Sequence, residues 1–205
     1  MSLLVSPIRF LFLGNHPCLD FINTQIVLEG QPVDLLNSFS DLIRWLAQAK
    51  LLTEDPKQIE RQWAGGTKGK RLLDQAQAFR AVLRKMVKRI ASGKRVPQEA
   101  VEAINAQLQS RVAYPQVISH KGRFERVFRA ESQDHRRLIG LLAETASDLL
   151  CTCDLALIKK CRNPACVLFF YDTTKNHARH WCSMSLCGNR SKVAAHYRRH
   201  RRTKA

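Results

Sequence analysis

The last quarter of the sequence has almost no acid. Between Lys159 and Ala205, Asp172 stands alone against 12 Lys and Arg, a net of +11 out of the formal +17 carried by all 205 residues. That shortage excludes a charge-balanced surface there and favours polyanionic partners. The first 158 residues hold 22 basic and 16 acidic side chains, much closer to balance. Long apolar runs are also missing. None approaches the 18 or more residues a membrane span needs, and the short Leu11-Phe12-Leu13 run, with Arg9 against it, lacks the layout of a secretion signal. The expectation is a cytoplasmic protein with no membrane partner. Catalytic signatures are absent as well: there is no H-E-x-x-H, no nucleophile beside a base, and no G-x4-G-K-[S/T]. Gly65-Gly66-Thr67-Lys68-Gly69 therefore reads as a plain loop, and the chain reads as a non-enzyme. An enzymatic alternative would have to use Asp20, Asn23 and His16. Hydrophobic residues at 45% and charged residues at 25% are ordinary globular values, so wholesale disorder is excluded.

Cysteine is what the chain does have. Four of its seven cysteines fall in two matched C-x4-C pairs, Cys161/Cys166 and Cys182/Cys187, separated by fifteen residues. In a reducing compartment such pairs point to metal before disulfides. Four thiolates suit one tetrahedral Zn2+ per chain, and a closed shell leaves no position for substrate, so the zinc is expected to be structural. His177 and His180 lie between the pairs and are competent ligands, which leaves a site of three cysteines and one histidine as the alternative. Cys18, Cys151 and Cys153 are left over: the Cys151-x-Cys153 pair could bind metal or react with oxidants but lacks a matching pair, and the favoured reading is of small buried apolar residues.

Taken in order, the chain predicts a helix from near Pro17, with Asp20, Asn23 and Thr24 on one face. Those three either line a small-ligand pocket or fix neighbouring backbone. Ser38 and Ser40 can cap a helix carrying Leu42, Ile43, Trp45, Leu46 and Ala49, which should stop near Leu52. Leu72, Ala76, Phe79, Leu83, Met86 and Ile90 recur at helical spacing up to Gly93. Pro97 starts another helix through Val101, Ile104 and Leu108. Tyr114–Ile118 and Arg123–Phe128 suggest a β-hairpin, and Asp134 opens a helix through Leu138, Leu142 and Leu149. Short strands then flank Cys161 and Cys166. After Cys187, Gly188 offers a sharp turn and Asn189 an N-cap for a helix from Arg190. Val193, Ala194 and Tyr197 form its apolar stripe, and Lys192, His196, Arg198, Arg199, Arg201 and Arg202 its basic surface. The fold class expected is α+β: a mainly helical N-terminal domain with a hairpin (1–154), then a small four-cysteine zinc finger (155–205) ending in a basic helix.

Cys161-x4-Cys166, Phe170-Tyr171-Asp172-Thr173-Thr174-Lys175-Asn176, Arg179-His180-Trp181-Cys182-Ser183-Met184 and Cys187-Gly188-Asn189-Arg190 resemble the CGNR zinc finger. Gly14, Leu19-Asp20-Phe21-Ile22-Asn23-Thr24 and the Leu42, Trp45, Leu46 run resemble the ABATE domain, which precedes this finger in stress-induced bacterial transcription regulators. The resemblance implies that Cys161, Cys166, Cys182 and Cys187 bind zinc and that the finger binds DNA, with the N-terminal domain as a sensor or regulatory part for an unidentified small-molecule effector. This chain departs from the pattern in having His180 where a second arginine usually precedes Trp181. Arg179, His180, Arg190, Lys192, Arg198 and Arg199 are the candidate contacts to double-stranded DNA. A single finger reads few base pairs, so a homodimer is a natural expectation. RNA or an acidic protein surface is the alternative partner, with Phe169, Phe170, Tyr171 and Trp181 as stacking platforms.

Overall fold

The computed structural model describes residues 10–63, 67–109, 113–120, 123–130 and 136–193. The first helix, α1 (Pro17–Ile22), begins where expected. Proline occupies the first turn, and the His16 ring accepts the Cys18 amide at 3.3 Å. A hairpin that the sequence reading missed follows, β1 (Gln25–Leu28) and β2 (Gln31–Asp34), with Glu29 and Gly30 both at positive φ in its turn. α2 (Phe39–Gln48) opens on a capping box in which Ser38 and Asp41 satisfy each other's amides. It ends a few residues before Leu52, at a C-cap on Ala49.

The next stretch departs from expectation in two places. Asp55 accepts the Lys57 amide at 3.0 Å and starts α3 (Pro56–Trp63), which buries Ile59 and Trp63 one turn apart. Thr67, Lys68 and Gly69, expected in a loop, form the first turn of α4 (Thr67–Ile90). α4 is the central strut. Its apolar face is the one the spacing predicts, and it stops at Gly93, where the Gly93 and Lys94 amides return to the Ile90 and Arg89 carbonyls. α5 (Gln98–Leu108) follows Pro97. The hairpin of β3 (Ala113–His120) and β4 (Arg123–Ala130) has Val117 opposite Arg126. α6 (Arg137–Thr152) completes the helical part; the expected opener Asp134 lies outside the described residues.

β5 (Ile158–Lys160) and β6 (Phe169–Tyr171) form the strands on either side of the first cysteine pair. One hydrophobic cluster runs from Phe10 through α1, α2, α4 and α6 to Phe169, Phe170 and the four cysteines. The cysteine segment is therefore packed into the core that the helices build. Among the described residues no helix is long and apolar enough to cross a membrane.

The charged side chain that sequence periodicity hides is Arg80, on α4 and only 1% exposed. Its two terminal nitrogens pair with both carboxylate oxygens of Asp34, and one also reaches the Thr24 hydroxyl at 2.6 Å. A buried cation survives only when paired in this way, and the pair clamps the β1–β2 hairpin onto α4.

Candidate metal centre and nucleic-acid surface

β5 delivers Cys161 with its amide bound to the Leu168 carbonyl at 2.9 Å, closing the first knuckle. Within that knuckle the Cys166 amide returns to the Asn163 carbonyl at 2.9 Å, and Asn163 Oδ1 accepts the Ala165 amide at 3.1 Å. The second pair is brought over by a cross-link, the Arg162 amide to the His180 carbonyl at 2.9 Å. As a result all four sulfurs lie within 4.8 Å of one another. Cys166 and Cys182 are 3.8 Å apart at sulfur, Cys182 and Cys187 are 3.5 Å apart, and the Cys182 amide donates to the Cys161 sulfur at 3.4 Å.

Four sulfurs at zinc's bond length of about 2.3 Å sit about 3.8 Å apart in a tetrahedron, so this spacing fits one such ion. The thiol electrostatics agree. S–H donation from Cys166 and Cys182 pulls the Cys161 thiol down, while Cys166 is pushed up to about 12 by its place beside Cys161, and Cys182 is pushed up by both neighbours. Thiolates this close repel one another, and a cation at their centre would offset that repulsion. Neither His177 nor His180 joins the group: the His177 Nδ1 lies 3.2 Å from the Asp172 carbonyl and His180 is exposed. With no open position, such a site shapes the chain without doing chemistry.

Cys187 rides on a helix that begins earlier than the sequence suggests. Ser183 is the cap, in extended conformation, with its hydroxyl accepting the Leu186 amide at 3.3 Å. A wide turn over Met184–Gly188 runs directly into a helical stretch at residues 189–193, so Asn189 is already helical (φ −64°, ψ −44°) and does not cap. Gly188 makes no sharp turn either. It lies in the wide turn, and a Cβ there would meet Met184 Sδ at 2.6 Å and Trp181 Cδ1 at 3.2 Å, so its value is close packing.

Asp172 carries more of the site than its place in the motif suggested. It is fully buried, and it accepts Lys159 Nζ at 2.7 Å, the Thr174 hydroxyl at 2.6 Å and amide at 3.1 Å, and the Arg179 amide at 2.9 Å. Burial alone would raise its carboxyl, but these donors outweigh it and hold the group well below the usual carboxylate range. The signal was present in the sequence: a single acid in a strongly basic segment is either wasted or essential.

The finger is sewn to the N-terminal residues by a seam along β6. Asn23 donates to the Phe169 carbonyl at 2.7 Å and accepts the Phe169 amide at 2.9 Å. The Tyr171 amide reaches the Gly14 carbonyl at 2.8 Å, and Asn15 bonds the Tyr171 carbonyl and Thr173 hydroxyl, both at 3.1 Å. From α4, Arg84 holds the Val167 carbonyl at 2.8 Å and lies over the Phe169 ring. The three residues offered as a ligand pocket are thus engaged internally. Asn23 forms the seam, Thr24 bonds Phe21 and Arg80, and Asp20 accepts the Gly14 amide at 2.7 Å. Of the two roles the sequence left open for them, these bonds are of the backbone-fixing kind.

The candidate nucleic-acid residues separate into three groups. Arg179 faces inward: it stacks on Phe170 at 4.2 Å and donates to the carbonyls of Trp181, Leu13 and Cys182. Its guanidinium is a strut joining the finger to the seam. His180, Arg190 and Lys192 are exposed. Arg190 Nε bonds the Leu186 carbonyl at 2.7 Å, which sets the guanidinium beside its own helix. Arg198 and Arg199, with Ala194, His196, Tyr197, Arg201 and Arg202, lie outside the described residues. Phe169 and Phe170 are buried, which removes them as stacking platforms. A broad concave surface of about 700 Å³ brings together Lys175, Asn176, His180, Trp181, Met184 and Lys192; Lys175 and Asn176 were not among the expected contacts.

Against known families, residues 15–152 match ABATE, described as a putative stress-induced transcription regulator. The chain belongs to the ABATE family. Residues 158–200 of this ABATE chain match the CGNR zinc finger, so its cofactor is one structural zinc ion, which Cys161, Cys166, Cys182 and Cys187 would hold. No curated protein matches the ABATE chain.

Proposed function

We propose that this chain is a DNA-binding transcription regulator in which residues 155–205 form the contact module and residues 1–154 a regulatory part packed against it. The observation that carries this reading is the fate of the one acid: Asp172 is buried, so the described surface of the finger offers cations with no carboxylate among them. A polyanion meets Lys175, His180, Arg190 and Lys192 there without competition, and Arg198 and Arg199 extend the set along the sequence. The seam supports a regulatory reading, since Asn23 at the end of α1 and Arg84 on α4 both touch Phe169 of β6. Half-site pairing by a homodimer would supply the specificity a single finger lacks.

The test compares duplex DNA, single-stranded DNA and RNA at two salt concentrations, using wild type and an Arg190/Arg198/Arg199 alanine triple. Duplex preference and a loss of at least tenfold in the triple are expected. Equal duplex binding by both proteins would overturn the contact assignment, and a preference for single strands would favour an RNA-directed finger.

A further inference from the structure

A second cavity, of about 210 Å³, lies where β1 faces the zinc knuckle. Ile26 and Leu28 from β1 line it together with Leu168, Leu186 and three of the cysteines, Cys166, Cys182 and Cys187, and Arg190 stands among the lining residues. Leu28 and Leu186 remain 45% and 37% exposed, so the apolar lining is open to solvent at its edge. Small-molecule sites are concave, mainly apolar and oriented by few polar groups. Among the described residues Arg190 is the one Lys or Arg in this lining, and no Asp or Glu joins it. Leu186 and Arg190 are one helical turn apart, which sets the cation beside an apolar wall.

We propose that this cleft binds a small carboxylate with an apolar tail, the carboxylate on the Arg190 guanidinium and the tail among Ile26, Leu28, Leu168 and Leu186. The lining decides the orientation: Arg190 is the cation the described residues place there, and cysteines holding zinc would be thiolates that repel a carboxylate, so the acid end points to Arg190. The volume corresponds to about seven water molecules at roughly 30 Å³ each, which limits the tail to a short chain or a single ring. The consequence for regulation rests on the DNA-binding reading above: a ligand on Arg190 takes that cation from a phosphate.

Calorimetric titration of the zinc-loaded full chain with octanoate, octanol and octylamine tests the site without any nucleic acid. Saturable octanoate binding is expected, with octanol and octylamine at least tenfold weaker. Arg190→Gln should weaken octanoate about tenfold, as expected for loss of a charge-assisted hydrogen bond. Leu28→Trp, which fills the open edge, should abolish it; zinc content and circular dichroism report whether either variant is folded. Absent octanoate binding, equal affinity for octanol or octylamine, or binding unchanged in both folded variants would overturn the proposal. Octanoate should also weaken duplex DNA binding several-fold in wild type and not in Leu28→Trp. If the chain binds octanoate as described but no DNA, the regulatory reading fails and the ligand site stands.

Discussion

Replacing Asn23 by alanine removes both bonds that join α1 to β6. Asn23 is 1% exposed and Phe169 3%, so the Phe169 amide and carbonyl are left unpaired away from water. Each stranded group costs about 1–3 kcal/mol. The neighbouring Tyr171–Gly14 and Arg84–Val167 bonds remain and limit the rearrangement, so the lower part of the combined range applies, about 2–4 kcal/mol. At roughly 2–4 °C per kcal/mol for a chain of this size, the melting temperature should fall by about 5–15 °C. Scanning calorimetry on zinc-loaded protein measures it. Asn23→Asp keeps the acceptor for the Phe169 amide but turns a carboxylate oxygen toward its carbonyl, so it should fall at least as far. Because one core spans both parts, wild type should melt in a single transition. A shift below about 1 °C for the alanine variant, or two separate transitions in wild type, would refute the seam.

Chelation should lower the melt by more than about 10 °C and release one zinc per chain, since structural zinc supplies folding free energy and the four cysteines lie together in the core; an unchanged melt would contradict this. Ser183→Ala removes the cap of the helix that carries Cys187 and should cost about 1 kcal/mol, read as a melt lower by about 2–4 °C; no shift would show that the cap contributes nothing. Burial pushes the Asp20 carboxyl up to about 6, against the pull of the Gly14 and Leu13 amides and Arg179. Its folded pKa lies above the unfolded value near 3.9, so its contribution is fully present below about pH 4 and is lost as pH rises through 6, at most about 3 kcal/mol. Asp20→Asn should therefore gain on wild type between pH 5 and 7.5, the zinc dependence cancelling in the difference; a pH-independent difference would contradict the burial argument.

Much of this was legible because it is periodic or local. The α4 stripe, the Ser38 cap, the Gly93 stop and the cysteine arithmetic each depend on neighbours in sequence. What escaped depends on distant partners. The role of Asn23 is decided by Phe169, 146 residues away, and that of Arg80 by Asp34 and Thr24. Arg179 shares its charge with any phosphate-seeking arginine, and only the nearby carbonyls of Leu13, Trp181 and Cys182 reveal it as a strut. The β1–β2 hairpin carries a weak sequence signal because Glu29-Gly30 is a less familiar turn pair than Asn-Gly or Asp-Gly. Asn189 was assigned the cap by residue preference, yet Ser183 lies six residues earlier and meets the same preference, with the Leu186 amide in reach.

The finger is a zinc-held scaffold whose exposed charge is cationic, its single acid being buried. Fluorescence anisotropy of a labelled duplex, titrated with zinc-loaded and chelated protein across a series of salt concentrations, tests that claim most directly. With about five cations on phosphates, log K for the zinc-loaded chain should fall with log salt at a slope of roughly −4.5, and chelation should weaken binding at every salt concentration. A slope near zero, or identical curves with and without zinc, would contradict it.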